Sequence, residues 1–270
     1  YLDVSMGAGS ATGIFDLTGI EDFTTLKYLF CDNNQLTTLD LSQNTALTLL
    51  ECQYNQLTSL NVSANVQLTT LDCGRNQLTN LNLINNTMLF QLYCSDNQIT
   101  SLNLNNNTQL DEVHCSNNQL TTLDVSNSII LYALDCDNNN LFSLDLSSNT
   151  DLSFLDCDSN QLTLLDIRNG NNQNMDMWSF SCISNPNLNC INVDDSTYSA
   201  NNWTVVNGNI DAQNYFSNNC SGTTSIEDHT TNKVLIKITD ILGRETKRNK
   251  NEPLFYIYDD GTVEKKIIIE

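Results

Sequence analysis

Apolar residues recur along this chain at a fixed spacing, in the pattern L-x-x-L-x-C-x-x-N-x-L. The pattern runs from LKYLFCDNNQL near the start to LSFLDCDSNQL, and its cysteine returns every 21 residues. These cysteines are Cys31, Cys52, Cys73, Cys94, Cys115, Cys136 and Cys157. Such a period predicts a solenoid, because each repeat can bury its apolar edge only by stacking on its neighbours.

The second half of each repeat is almost a copy of the first. Residues 36–44 read LTTLDLSQN and residues 57–65 read LTSLNVSAN, which gives L-x-x-L-x-L-x-x-N. In both halves apolar residues alternate with other residues, as in a short strand with one buried face. No stretch has the spacing of a long amphipathic helix. We therefore predict two short strands per turn and two parallel ladders.

Asparagine follows each predicted strand at a constant position. After the first strand stand Asn34, Asn55, Asn76, Asn97, Asn118, Asn139 and Asn160, and after the second Asn44, Asn65, Asn86, Asn107 and Asn149. A turn that curls inward leaves backbone groups without partners. We expect the stacked amide side chains to supply those partners.

This unit resembles the leucine-rich repeat, in the nested 21-residue form found in secreted bacterial proteins, over roughly residues 14–193. The resemblance implies an all-β-rich solenoid, a right-handed coil of short parallel strands. We divide the first part of the chain into a truncated N-terminal cap repeat at 1–25, the solenoid at 26–193 and a C-terminal cap at 194–220. Since the cap repeat starts midway, we expect a signal peptide and the first part of the cap to have been removed before Tyr1.

The ten cysteines divide into two groups. Cys182 continues the column of seven, and we expect these thiols to be reduced and to fill the core as small apolar groups. Without a Cys-x-x-Cys motif, a metal ladder is disfavoured. The remaining pair, Cys190 and Cys220, lies in the irregular cap, where we predict a disulfide.

The acidic charge belongs to the repeats. Residues 1–220 hold 3 basic and 23 acidic residues, a net charge of −20, whereas residues 221–270 hold 8 and 9, a net charge of −1. Nucleic acids and anionic membranes attract basic surfaces, so both are disfavoured as partners. The negative charge leaves cations, basic proteins and neutral glycans as candidate partners.

The composition changes at about residue 221, which predicts a linker at 221–233 and a small antiparallel β-domain at 234–270. In the latter, PLFYIYDDGTVEKKIIIE indicates a hairpin around Asp260 and Gly261. This tail resembles the C-terminal sorting domain of type IX secretion substrates. The residues that carry the resemblance are Asp240, Gly243, Arg244, Tyr256, Tyr258, Asp260, Gly261, Lys265 and Lys266.

That resemblance implies export across an outer membrane. The expected partners of 234–270 are the translocon's shuttle protein and its sorting peptidase, with outer-membrane association through this machinery. The product would be secreted or held at the outer-membrane cell surface. The alternative is an ordinary small β-domain that ends the chain.

Enzyme signatures are missing from the sequence. His114 is the one histidine of the solenoid, and no H-E-x-x-H, G-x-S-x-G or phosphate-binding glycine loop occurs. We therefore predict a protein that is not an enzyme and needs no cofactor.

The exposed positions of the first ladder vary from turn to turn, while the leucine, cysteine and asparagine positions stay constant. Variation on a fixed lattice indicates residues chosen for a partner rather than for the fold. The predicted partner-binding residues are Tyr28, Phe30, Glu51, Tyr54, Asp72, Tyr93, Glu112, His114, Asp135, Phe154 and Asp156. The second half is plainer, with recurring threonine and Asp/Asn positions that indicate solvated structure.

Four carboxylates form a second group of candidates, namely Asp135, Asp137, Asp156 and Asp158. Alternate residues on adjacent strands would place them on a rectangle of about 5 by 7 Å. Oxygen ligands favour calcium, although a flat face supplies fewer than the six to eight that calcium takes. Calcium is therefore a candidate ligand here.

Together these features predict a secreted or cell-surface recognition or adhesion protein that binds a protein partner through its exposed strand face. The alternatives are a glycan-binding surface protein and a structural component of a surface layer or gliding apparatus.

Overall fold

The computed structural model describes residues 1–7, 13–220, 235–239, 246, 253–258 and 263–267. The chain forms two compact units, Tyr1–Cys220 and Ser221–Glu270. Five residues that carry the sorting-domain resemblance lie outside the described residues, namely Asp240, Gly243, Arg244, Asp260 and Gly261.

The first halves of the repeats build a nine-stranded parallel sheet, one strand per turn. In spatial order its strands are β1 (Leu2–Asp3), β2 (Tyr28–Phe30), β3 (Leu49–Glu51), β4 (Thr70–Asp72), β5 (Gln91–Tyr93), β6 (Glu112–His114), β7 (Ala133–Asp135), β9 (Phe154–Asp156) and β11 (Phe180–Ser181). The register places each repeat on the same position of the next, as in Leu50 opposite Leu71. Each three-residue strand buries its middle residue, as its alternating pattern predicts.

The second halves form strands only late in the solenoid. A four-stranded parallel sheet runs in the order β13 (Tyr215–Ser217), β12 (Cys190–Asn192), β10 (Leu164–Asp166) and β8 (Ser143–Asp145). Between residues 36 and 125 the prediction of a second ladder is wrong: no strand forms in these described second halves. Successive second halves are joined by one backbone hydrogen bond, such as that from Gln56 N–H to Leu36 O at 2.9 Å. Alternating burial requires side chains to point inward, but it does not require neighbouring turns to approach along their whole length.

The core is a continuous stack of leucine and cysteine side chains. Leu29, Leu50 and Leu71 are fully buried, and so are the column cysteines from Cys31 to Cys182. Burying one leucine contributes about 1.5–3 kcal/mol relative to leaving it exposed. Since every turn buries the same set, the stabilisation is spread along the solenoid rather than concentrated at one centre.

Two asparagine ladders support this core. Asn55 Nδ2 donates to the carbonyls of Cys31 (2.9 Å) and Cys52 (3.1 Å), while its Oδ1 accepts from Leu36 N–H (2.9 Å). In the second ladder, Asn65 Nδ2 donates to the carbonyls of Leu41 (3.1 Å) and Asn44 (2.9 Å). The expectation that asparagine satisfies the inward turns is confirmed.

The C-terminal cap closes the core with aromatic residues. Asp195 caps the N-terminus of helix α1 (Ser196–Asn202), and its carboxylate accepts hydrogen bonds from two backbone N–H groups of the first turn. Trp203 follows the helix, is fully buried and stacks on Phe180 at 4.3 Å between ring centroids. A disulfide joins Cys190 and Cys220, with their Cα atoms 5.8 Å apart.

The N-terminal segment adds strand β1 to the sheet, with Leu2 opposite Leu29. Short 3-10 helices lie at Ile20–Asp22 and Asn172–Asn174. No helix among the described residues has both the length and the apolar character needed to cross a membrane.

The second unit contains a three-stranded antiparallel sheet. Its strands are β14 (Leu235–Thr239), β15 (Pro253–Tyr258) and β16 (Val263–Ile267), with β15 in the middle. Tyr256 and Tyr258 belong to β15, and Lys265 and Lys266 belong to β16.

Candidate functional site on the exposed strand face

The turn after each strand of the first sheet passes through the left-handed backbone region. The second residue after each column cysteine has a φ between 51° and 59°; these residues are Asn33, Tyr54, Arg75, Asp96, Asn117, Asn138, Ser159 and Ser184. Asparagine and aspartate tolerate this conformation best among residues other than glycine, and for a bulky residue it is an outlier. Tyr54 and Arg75 are therefore the unusual members of this column.

These two residues border a depression of about 240 Å³ on the sheet edge, with Gly74 in its floor. Gly74 is the centre of an array of three positions in each of three successive repeats. These positions are the last residue of the strand, the residue after the column cysteine and the left-handed residue that follows it. We call this depression the Gly74 socket; besides Gly74 it is lined by Gln53, Tyr54, Asp72, Arg75, Tyr93, Ser95, Asp96 and His114. The socket exists because Gly74 places no side chain where the neighbouring turns place Gln53 and Ser95.

One wall of the socket is a chain of three side chains. The Arg75 guanidinium lies over the Tyr54 ring, with Cζ 4.7 Å from the ring centroid. Arg75 Nε also donates to Asp96 Oδ2 at 3.1 Å. Both contacts are solvent-exposed, so each contributes at most about 1 kcal/mol. Their main effect is to hold two large side chains upright at the rim.

The opposite wall is a stack of Tyr93 and His114, whose ring centroids lie 5.0 Å apart. The Tyr93 hydroxyl donates to Glu112, and His114 Nδ1 lies 3.5 Å from Asp135 Oδ2. Burial, followed by the bond to Glu112, raises the pKa of Tyr93. Tyr93 therefore stays neutral and presents a fixed aromatic surface.

One oxygen acceptor in the socket, Asp72 Oδ2, has no partner among the described residues. Asp72 Oδ1 accepts from Gly74 N–H at 3.0 Å, but Oδ2 accepts no hydrogen bond from any described residue. The Oε1 atom of Gln53 is buried and is likewise without a donor in the described part of the chain. Burial, with additions from Glu51 and Asp32, raises the pKa of Asp72 to about 6. An incoming donor, especially a cationic one, would satisfy Asp72 Oδ2, whereas Gln53 Oε1 is closed to solvent.

The structure brings some of the predicted partner-binding residues together and separates others. Tyr54, Asp72, Tyr93 and His114 meet at the socket, with Glu112 behind Tyr93. Glu51 lies opposite Asp72 in the register, and Phe154 lies on β9 beside Ala133.

The N-terminal aromatic residues do not reach the socket. Phe30 packs against Tyr1, with ring centroids 5.6 Å apart, and Tyr28 is 44% exposed on β2. Sequence reasoning missed Gln53, Gly74, Arg75, Ser95 and Asp96, although Gly74 was detectable as the only glycine in its column.

Two of the four carboxylates considered for calcium accept hydrogen bonds from the protein at 3.1 Å or less. Asp158 Oδ1 accepts from Ser181 Oγ (2.6 Å) and Ile183 N–H (2.7 Å), and Asp156 Oδ1 accepts from Asp158 N–H (3.1 Å). Burial and the neighbouring Asp135 raise the pKa of Asp137 to about 6. No group of three or more His, Cys, Asp or Glu side chains suited to a metal ion occurs in the described ranges. Calcium binding stays a prediction.

No protein-family model and no curated protein matches the chain. Among solved structures, internalin C2 from Listeria monocytogenes is 30% identical over 56% of this chain and 70% of its own, with a TM-score of 0.54. The internalin InlF from the same organism is 23% identical over 70% of this chain and 55% of its own, with a TM-score of 0.51.

The functional domain of InlJ from Listeria monocytogenes, which includes a cysteine ladder, is 30% identical with a TM-score of 0.42. The match covers 67% of this chain and 56% of that one, so the chain spans little more than half of the InlJ structure. With the repeat register, the buried leucine stack and the asparagine ladders described above, the internalin C2 match leads to one conclusion: this chain belongs to the leucine-rich-repeat proteins.

Proposed function

We propose that this protein recognises a protein partner through the exposed face of its first sheet. The observation that supports this most directly is the contrast between a constant scaffold and a variable surface that converges on the Gly74 socket. A solenoid presents such a surface preformed, which lowers the conformational entropy lost on binding. Tyrosine and arginine, which border the socket, are the residue types that most often dominate binding energy.

Charge favours a basic partner. Residues 1–220 carry a net charge of −20, and the outward-facing, half-buried sheet positions include Glu51, Asp72, Glu112, Asp135 and Asp156. A surface of one sign accelerates encounter with a partner of the opposite sign and repels acidic molecules. The internalin relatives share the scaffold, and recognition through it is our proposal for this chain.

We also propose that the protein is not an enzyme. The column thiols are buried and their pKa values are raised by burial, so they supply no thiolate nucleophile. The side chains of His114 and Asp135 are paired, but no serine or cysteine side chain is hydrogen-bonded to His114 among the described residues. This arrangement supports a binding surface rather than a catalytic one.

Placing a photo-crosslinking amino acid at single positions tests the binding face. With the full chain and cell-envelope extracts, position 93 on the sheet should crosslink to a discrete partner. Position 79, an exposed threonine of the second half, is the matched control and should not. Equal crosslinking at both positions would contradict recognition through the first sheet.

For the second unit we propose export by a type IX system, with secretion or retention at the outer-membrane surface. Support comes from the motif residues and from the small antiparallel sheet that carries Tyr256, Tyr258, Lys265 and Lys266. The full chain and a chain ending at Cys220 would be expressed in a bacterium that has this machinery. We expect only the full chain outside the outer membrane; export of both would contradict the proposal.

A glycan is the second candidate ligand, because the socket combines Tyr54 and Tyr93 with the planar polar groups of Gln53, Asp72 and Arg75. Aromatic rings with polar neighbours also suit sugar rings. A glycan array with the full chain and its Tyr93→Ala variant would test this; binding lost in the variant would favour the glycan.

A further inference from the structure

We propose that the Gly74 socket receives a lysine side chain of the partner protein. This inference rests on the proposed function and names the chemistry that the sheet recognises at one point. The supporting observations are the shape of the socket, its uncompensated charge and the unpaired oxygen of Asp72.

The socket is one side chain deep and occurs at one turn. The column that contains Gly74 holds Asp32, Gln53, Ser95, Ser116, Asp137, Asp158 and Ile183 at its other positions. A side chain at Gly74 would begin in the floor, since an added Cβ would lie 3.3 Å from both Asp72 Oδ1 and Ser95 O. Among the described repeats, this one therefore has no side chain of its own at this position, and the depression it leaves can accept one supplied from outside.

The charge of the socket calls for a cation. Asp72 and Asp96 line it, and Glu51 and Glu112 lie on the strands on either side of β4 and β5. Against these four carboxylates stand Arg75, whose guanidinium is already paired with Asp96, and His114, which is paired with Asp135. The nearby negative charge is thus not compensated within the socket, and a basic side chain would compensate it.

The acceptors favour an ammonium over a guanidinium. Arginine binds best to a carboxylate that offers both of its oxygens, but Gly74 N–H already occupies Asp72 Oδ1. Lysine is a compact charge with three rotatable donors, which suits the single free acceptor Asp72 Oδ2. Its methylene stem would lie along the aromatic side chains of Tyr54 and Tyr93, as lysine stems do on apolar surfaces.

Protons compete with the ammonium for this socket. The groups facing Asp72 are Glu51 on β3, Tyr93 on β5, His114 on β6, and Asp32, Arg75 and Asp96 in the turns. Because the pKa of Asp72 is about 6, the carboxylate that binds lysine is depleted as the pH falls below that value. Affinity should therefore decrease between about pH 7.5 and about pH 5.

The test uses the full chain labelled with ¹⁵N-glycine, in which Gly74 is one of ten glycines. Its amide signal, identified by its loss in Gly74→Ser, reports on the hydrogen bond to Asp72. The probe is the peptide Ac-Gly-Gly-Lys-Gly-Gly-amide, with arginine or norleucine in place of lysine as controls. We expect a saturable shift of the Gly74 signal, with the lysine peptide bound about tenfold or more tightly than either control.

Three variants locate the effect. Asp72→Asn removes the charge while keeping the shape and should abolish the shift of the Gly74 signal. Gly74→Gln fills the socket with the residue that stands one turn earlier; since this variant lacks the labelled glycine, titration calorimetry with the lysine peptide is its readout, and the binding should be lost. Asp151→Asn removes one exposed carboxylate elsewhere and should leave the shift of the Gly74 signal unchanged. Equal shifts with lysine, arginine and norleucine peptides, or binding that survives Asp72→Asn, would overturn the proposal.

The two proposals can fail separately. A Gly74 shift with a neutral disaccharide and none with the lysine peptide would overturn the lysine assignment in favour of a sugar. No shift with any probe would also overturn it, while crosslinking from position 93 would still support recognition through the sheet. Loss of that crosslinking together with a persistent lysine shift would instead contradict the proposed function.

Discussion

At the residue scale, the left-handed turn position sets what each repeat can present to solvent. A residue other than glycine destabilises the fold by about 1–2 kcal/mol when it adopts this conformation, and asparagine and aspartate tolerate the conformation best. Tyr54 and Arg75 occupy it with φ values of 57° and 52°, beside the socket. Strained backbone is typical of functional sites, which fits the assignment of these residues to recognition rather than to the fold.

Asn117 allows this strain to be measured away from the socket, since it has a φ of 52° in a later turn. Asn117→Val should lower the free energy of unfolding by about 1–2 kcal/mol, because a β-branched side chain clashes with its own backbone there. Asn117→Gly should change it little. Chemical denaturation of the two variants checks this, and equal losses would show that the side chain's own contacts dominate.

At the element scale, the two asparagine ladders differ in how completely they are satisfied. In the first, Asn97 donates to the carbonyls of Cys73 and Cys94 and accepts from Leu78 N–H. In the second, Asn86 donates to the carbonyls of Val62 and Asn65, while its Oδ1 is buried without a partner. The first ladder therefore joins successive turns through donor and acceptor alike.

Removing these amides should destabilise the protein unequally. Asn97→Ala leaves the buried Leu78 N–H without its acceptor and removes one of the two asparagine donors from each of the Cys73 and Cys94 carbonyls, and we expect a loss of about 3 kcal/mol. Asn86→Ala removes two bonds together with an unsatisfied oxygen, so the loss should be smaller. Hydrogen exchange of neighbouring turns in each variant measures the difference, and the reverse order would contradict this account.

Most of the elements follow from sequence, and the socket does not. The strands of the first sheet and the role of Asn55 are predictable because leucine and asparagine positions report burial directly. The second sheet was overpredicted, since an alternating pattern such as that of residues 36–44 does not report the distance between neighbouring turns. The socket was missed because it depends on a side chain that Gly74 lacks and on the direction that a left-handed turn gives to Tyr54 and Arg75.

At the scale of the whole molecule, acidic charge and burial couple folding to pH. The pKa values of Asp72, Asp137 and Asp158 are each raised to about 6, with burial as the largest cause. For a carboxyl group raised in the folded state, the native protein binds more protons than the unfolded chain between about pH 4 and 6. The stabilisation that these carboxyl groups give the folded protein is fully present below their pKa in the unfolded chain. It is lost as the pH rises through about 6.

Melting temperature should therefore be higher at about pH 5 than at about pH 7.5. Allowing for solvent screening, each of these carboxyls contributes on the order of 1 kcal/mol to the difference. Asp137→Asn should reduce the rise, whereas Asp22→Asn, at an exposed site, should not. A melting temperature independent of pH over this range would contradict the raised pKa values.

Calcium at about pH 7.5 should raise the melting temperature if it binds the carboxylates of Asp135, Asp137, Asp156 and Asp158. A calcium-dependent rise in melting temperature that Asp156→Asn removes would support the site. A calcium-dependent rise that persists in this variant would contradict calcium binding at these four carboxylates.

The strict register of the first sheet has a consequence for how such a molecule changes over generations. Asn55, Asn76 and Asn97 each reach the cysteine carbonyl 24 residues earlier, so excising or duplicating one 21-residue unit leaves every such bond with a partner of the same kind. Unequal recombination within the coding sequence can therefore shorten or lengthen the molecule without a fold-breaking intermediate. The repeat that holds Gly74 can be copied, moved or discarded as one inheritable cassette, and specificity can evolve faster than architecture.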